Sequence, residues 1–230
     1  AQISVGTPDI GGSRSSMALM AAEELGLPSD HIRCTIADTA TLGYNEISHG
    51  SRVTYASGLA TIKAAKDAIN KLSKRAADKW GIPKEAVKWE DGCAVPSGPN
   101  AGDFEPLSLK DLTKNMGKTG GPIVGHFEAT PEGAGVSFAT HIVDAEVDPD
   151  TGKTKILRYT VIQDAGKAIH PSYVEGQYQG GAAQGIGWAL NEEYIYGSDG
   201  RLQNAGFLDY RIPLASDLPM IDTVIVEVPN

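Results

Sequence analysis

The stretch Asp9–Leu27, DIGGSRSSMALMAAEELGL, sets two glycines and a run of hydroxyls directly before an apolar repeat. Met17, Ala21 and Leu25 recur at four-residue spacing, which predicts a helix from about Arg14 to Leu25, stopped by Gly26 and Pro28. Backbone N–H groups at a helix start point outward and carry the positive end of the dipole, so the stretch has the form of an anion site. Upstream, Ile3 and Val5 predict a short strand. Downstream, HIRCTIAD (His31–Asp38) alternates, with Ile32, Cys34 and Ile36 on one face of a second strand.

Working outward, a long polar loop, TATLGYNEISHGSRV, leads to a predicted helix over Thr54–Trp80. Leu59, Ile62, Ala65, Ile69, Leu72, Ala76 and Trp80 form its stripe, and Gly81 and Pro83 end it. AVKWEDGCAVP reads as a hairpin turning at Asp91-Gly92. SLKDLTKNM reads as a short helix capped by Ser108, and PIVGHFEAT as a strand. In the second half, VSFATHIVDAEV and KTKILRYTVIQDAG flank the turn DPDTG. A helix is predicted from about Val174 to Leu190 despite Gly176, Gly180, Gly181, Gly185 and Gly187, each costing about 1 kcal/mol against alanine. Something is therefore expected to pack closely on its backbone. EEYIYGSDGRLQ predicts another hairpin, and MIDTVIVEVPN a closing strand. The expectation is an α+β fold of two related lobes, each a mostly antiparallel or mixed sheet packed with helices, covering 1–130 and 131–230, with the break in ATPEGAG.

The formal net charge is −9 and no basic stripe occurs, which argues against a nucleic-acid partner. The basic stretch Lys63–Lys79 fits a solvated helix face. Cys34 and Cys93 lie too far apart in sequence for a CxxC site and read as buried thiols. No apolar run approaches the roughly 20 residues of a membrane span, and no leader opens the chain, so a cytoplasmic location is expected. Both ends sit in strand patterns, as in a piece of a longer polypeptide.

Three glycine-rich segments are candidate ligand loops: Gly11-Gly12-Ser13, SHGSR (Ser48–Arg52), and GGAAQG (Gly180–Gly185) with Gln184. Ordinary turn chemistry would also explain each alone. No P-loop or GxGxxG pattern is present. The five histidines lack metal-ligand spacing, and only His49 falls in a candidate loop. Glu23-Glu24 and Glu192-Glu193 read as solvated helix ends, and Met17, Met20 and the tryptophans as core.

Three segments taken together, ISVGTPDIGGSRSSMALMAAEELGLP, GSRVTYASGLA and VIQDAGKAIHPSYVEGQYQGGAAQGIGWALNEE, resemble the molybdenum-binding large subunit of the xanthine dehydrogenase/aldehyde oxidase family. RIPLASDLP (Arg211–Pro219) resembles the stretch that follows there. The resemblance implies C-terminal lobes that cradle a molybdopterin cofactor, with molybdenum held by the pterin and no metal ligand on the protein. Gly11, Gly12, Ser13 and Arg14 would lie against the pterin. Ser48, His49, Gly50 and Ser51 would meet its polar and phosphate groups, and Gln184 would bond near the metal. By family habit a bacterial parent would carry the cytosine dinucleotide form.

Iron–sulfur and flavin modules, the remainder of the large subunit and a small-molecule substrate are the implied partners. The implied reaction is oxidative hydroxylation of an aldehyde or N-heteroaromatic carbon by water. The chain departs from the family in two places. The family's first loop commonly reads G-Q-G, and here one cofactor contact is lost or moved to Ser13 or Arg14. The family's catalytic glutamate lies in a G-x-G-E-like segment past the IVEVP strand, beyond Asn230, so the chain alone is expected to be inactive. A non-catalytic binding or assembly module, a naturally split subunit, and an unrelated phosphoanion enzyme remain open at this point.

Overall fold

The computed structural model describes residues 1–228 apart from Asn115 and Ala134. The end of SLKDLTKNM at Asn115, Ala134 in the expected break, and Pro229 and Asn230 of the closing stretch lie outside the described residues. The chain divides into two compact units, 1–133 and 134–230.

Unit 1 opens with β1 (Gln2–Val5), α1 (Ser13–Leu25) and β2 (Arg33–Ile36). The strands pair in parallel, Gln2 opposite Arg33, because the intervening helix returns the chain to the same end. His31 lies in a short turn ahead of β2, and the pairing stops before Asp38. Then α2 (Val53–Trp80) crosses α1. Ser57, Gly58, Thr61 and Ala65 are all buried and small, which lets the two helices approach. A side chain at Gly58 would meet the Met20 sulfur, and the Thr61 hydroxyl lies 3.4 Å from the sulfur of Met17. Met17 is fully buried.

Lower on α2, Leu72 and Ala76 pack with Ala94 and Leu112 under β3 (Val87–Glu90), β4 (Cys93–Pro96) and β5 (Leu107–Ser108), an antiparallel sheet. Asp91 and Gly92 both have positive φ, 45° and 75°, the backbone of a two-residue hairpin turn. This tip docks on the end of α1: a methyl at Gly26 would collide with the Gly92 amide, and the Trp89 indole donates to the Leu25 carbonyl at 3.1 Å. Ser108 caps α3 (Leu109–Thr113), accepting from the Asp111 N–H.

PIVGHFEAT forms no strand. It runs along α2 with Gly125 against the Ala64 and Ala68 backbone. Helix side chains satisfy its peptides: Lys71 donates to the Val124 carbonyl at 2.8 Å, and Asp67 accepts from the His126 N–H at 3.0 Å. With a helix as neighbour there is no ladder to join.

Unit 2 pairs β6 (Phe138–Val147) antiparallel with β7 (Thr154–Asp164), with a register shift at Asp144/Ala145. The Asp148 carboxylate organises the turn, accepting from the amides of Asp150 and Thr151. Next comes α4 (Pro171–Leu190), and then β8 (Ile221–Val226) pairs parallel to β7. Val161, Tyr178, Ala182 and Ile221 form the core of this unit. Each unit thus contains a strand, helix and parallel strand, and parallel, antiparallel and mixed sheets occur beside the helices, an α+β arrangement.

Several expectations are corrected here. GGAAQG is not a loop; it lies inside α4, where backbone amides are committed to the helix. Close packing on the α4 glycines occurs at Gly187, against Glu192 and Pro213, while Gly176, Gly180, Gly181 and Gly185 face open space. Trp188 is not core but 68% exposed. Cys34 and Cys93 are only half-buried, and burial pushes the Cys34 thiol up. Residues 192–203 pair through one bridge, Tyr196 with Leu202, and Asn204 supplements it by bonding Ile195 and Glu193.

Candidate functional site

In unit 1 the first loop enters α1 through Gly11 and Gly12, both left-handed with φ of 64° and 78°. Gly12 is the N-cap and carries no capping side chain. Ser13 is buried and donates its hydroxyl inward to the Pro8 carbonyl at 3.1 Å, so its side chain is turned away from the outside. Arg14 is exposed and donates its backbone N–H to Asp9 Oδ1 at 3.0 Å; its Nε lies 3.4 Å from Asp9 Oδ2.

The second loop enters α2 in the same manner. Gly50 and Ser51 are consecutive left-handed residues, φ 59° and 57°. Ser51 is strained there, since a non-glycine residue pays for this conformation. No side chain caps α2, whose N-cap is Arg52. The Arg52 guanidinium pairs with Glu46. His49, Gly50 and Ser51 are exposed.

The two loops meet. The hydroxyls of Thr7 and Ser48 lie 3.4 Å apart, and a side chain at Gly6 would press on Asn45 and the Gly43 carbonyl. Thr7 is fully buried and is the residue that sequence reasoning missed. Its signal was its place two residues past β1, ahead of the glycine pair. Ile10, Tyr44, Ile47 and Tyr55 stand exposed on the same segments, at 59%, 93%, 70% and 50%.

In unit 2, Gln184 lies on the exposed side of α4 and lines a groove of about 300 Å³ with Gly180, Trp188, Glu192, Ile212 and Pro213. Glycine at 180 keeps this face low. Glu192 is no solvated helix end: its Oε2 accepts the Tyr210 hydroxyl at 2.9 Å. That bond, with burial and the carboxylate charge behind it, pushes the Tyr210 phenol up to about 12. The Tyr178 hydroxyl is buried without a partner among the described residues, and burial followed by the Asp164 charge raises its pKa.

Among the described residues no group of three or more His, Cys, Asp or Glu side chains is placed to hold a metal, and no helix is long and apolar enough to cross a membrane. In unit 1 the two loops offer backbone amides and hydroxyls, and in unit 2 the exposed side of α4 offers the Gln184 carboxamide.

Residues 1–219 match the family described as molybdopterin cofactor-binding domain. The chain is 28% identical over 219 residues to the 6-hydroxypseudooxynicotine dehydrogenase complex subunit gamma of Paenarthrobacter nicotinovorans, covering 94% of this chain and 28% of that one. It is 30% identical over 231 residues to the xanthine dehydrogenase molybdenum-binding subunit of Escherichia coli O157:H7, covering 97% and 30%. A crystal structure of the Cu,Mo-CO dehydrogenase superposes with a TM-score of 0.85 at 26% identity, covering 97% of this chain and 28% of that one. The chain thus spans less than a third of the length of the relatives it matches.

Proposed function

The chain belongs to the molybdopterin cofactor-binding domain family, and from that premise we propose that it forms part of the cofactor cradle of a molybdenum hydroxylase large subunit. The proposed contacts are Gly11, Gly12, Ser13 and Arg14, then Ser48, His49, Gly50 and Ser51, with Gln184 from α4. Units 1 and 2 are the proposed cofactor-binding lobes. The observation that carries this reading is the Thr7–Ser48 contact, which brings together the two glycine-bearing loops that lead into α1 and α2 within unit 1.

A pterin carries donors and acceptors around its rim, and the residues here answer in kind. Gly11 and Gly12 expose backbone without a Cβ, and Ser51 and His49 stand ready at the surface. Gln184 donates and accepts through one carboxamide. The exposed Ile10, Tyr44, Ile47 and Tyr55 would exclude water from the ligand's flank once covered. The cofactor, when bound, supplies the redox chemistry by which the parent enzyme hydroxylates an aldehyde or N-heteroaromatic carbon with oxygen from water. This chain's part is binding and orientation.

The catalytic base is proposed to come from elsewhere in the large subunit, and this chain by itself is proposed to be inactive. The remainder of the large subunit and iron–sulfur and flavin modules complete the enzyme, and a bacterial parent carries the cytosine dinucleotide form in a cytoplasmic complex.

The test is to add released molybdopterin to the purified chain and follow pterin fluorescence. Binding is expected, and Ser51→Ala and Gln184→Ala, both at exposed positions, should each weaken it several-fold. Absence of binding, or binding indifferent to both substitutions, overturns the reading. Turnover of an aldehyde or purine by this chain with the cofactor would overturn the assignment of the base elsewhere.

A further inference from the structure

The groove on the exposed side of α4 carries a charge that no cation of the described residues answers. Trp188, Ile212 and Pro213 are its apolar walls, and Gln184 and Glu192 its polar groups. The Glu192 carboxylate is seated in a space that Gly187 leaves for it: a methyl there would strike both Glu192 Oε1 and the Pro213 ring. The Tyr210 hydroxyl then fixes Oε2 at 2.9 Å. The place is a poor one for an anion. Glu192 follows on the C-terminal end of α4, where the helix dipole is negative, and the last turn holds no basic residue. Among the described residues no Lys, Arg or His pairs with Glu192, whereas Arg158, Lys167 and Arg201 of the same unit are each matched to another carboxylate.

We propose that this groove is the socket for an arginine side chain from the part of the large subunit outside this chain. This rests on the reading of the chain as part of such a subunit, and more than two thirds of the length of its relatives lies outside it. A guanidinium suits each surface the groove offers. It is planar and stacks on an indole, and its paired N–H groups match a carboxylate. Its methylene stem lies along apolar walls such as Ile212 and Pro213. A lysine ammonium would meet the carboxylate without stacking on the indole as a plane. Docking would cover Trp188, which is 68% exposed in this chain.

Two blocked amino acids test the chemistry. The purified chain is titrated with N-acetyl-arginine amide and with the neutral N-acetyl-citrulline amide of nearly the same shape, and the Trp188 indole and Gln184 carboxamide N–H signals are followed by NMR. Arginine is expected to shift both signals and citrulline to bind about tenfold more weakly. Glu192→Gln keeps an acceptor for the Tyr210 hydroxyl and removes the charge, and should bring arginine down to the level of citrulline. Trp188→Leu, at an exposed position, should weaken arginine several-fold and serves if the glutamine variant folds poorly. Equal response to the two probes, or arginine binding unchanged in the variants, overturns the proposal. The source of the side chain is tested by hydroxyl-radical footprinting of the complete large subunit purified without cofactor. Trp188, oxidised in this chain, is expected to be protected several-fold there. Equal oxidation in the two overturns the proposal, and so does protection that appears only after cofactor is added, which would give the groove to the cofactor. Failure of pterin to bind the chain overturns the cradle reading instead and leaves the arginine comparison intact.

Discussion

Two helices of this chain carry glycine to different ends. In α2, Gly58 sits among buried Ser57, Thr61 and Ala65, and the space its missing side chain leaves is filled by Met20 of α1. In α4, Gly180, Gly181 and Gly185 border solvent, and Trp188 beside them is exposed. Unit 1 uses small residues to close its own core, whereas unit 2 uses them to keep a backbone face bare. A helix glycine is therefore uninformative until its neighbour is known: the same cost in helix propensity serves packing in one place and accessibility in the other.

The sharpest test compares alanine at a glycine pressed against a helix, Gly125 on α2, with alanine at a bare one, Gly181 on α4. Gly125→Ala puts a methyl into the α2 backbone at Ala64 and Ala68. Overpacking against a rigid helix costs about 3 kcal/mol, at the upper end of the usual range, and urea unfolding of unit 1 should show it. A loss under about 0.5 kcal/mol would mean that the PIVGHFEAT segment is not seated on α2.

In unit 2, Tyr210→Phe removes the bond to Glu192 and should lower the melting temperature by a small, measurable amount. Gly181→Ala should move the other way. With nothing near its Cβ, it is expected to stabilise the chain by up to about 1 kcal/mol in the same melt. A destabilising result would show that this face of α4 is packed after all.

The smallest effect concerns pH. The Ala168 N–H and then the Lys167 ammonium hold the Glu227 carboxyl below its ordinary 4.5. A depressed carboxylate stabilises the fold above the unfolded-state value and loses that contribution as pH falls through the folded one. The melting difference between wild type and Glu227→Gln should therefore shrink as pH drops below about 4.5, and a difference that held constant would rule out the linkage.

Much of this was legible from local pattern. The stripe from Leu59 to Trp80, the Asp91-Gly92 hairpin and the Ser108 cap are short-range chemistry, and each forms where the residues point. PIVGHFEAT misled because an alternating apolar run fits an extended segment without saying whether its neighbour is a strand or a helix. Gly125 was the clue, since only a bare Cα fits against α2. At the candidate site, Gly11-Gly12 and Ser48–Ser51 stood out, but their contact through Thr7 depends on a pairing between distant segments that no spacing encodes. Asp9 stands five residues ahead of Arg14, and no sequence spacing announces that its carboxylate takes the Arg14 N–H at the start of α1. GGAAQG lies within the helix that the pattern around it predicts, and its glycine density says nothing of a loop there.

The meeting of Gly26 and Gly92 has an evolutionary reach. Two turns that form independently of one another are sealed main chain to main chain, with the Trp89 indole latched alongside. Neither position can acquire even a methyl without prising the seam apart, and no change at one can make room at the other. Diversification within unit 1 must therefore flow around this junction, through loop length and surface residues, while the seam itself stays frozen.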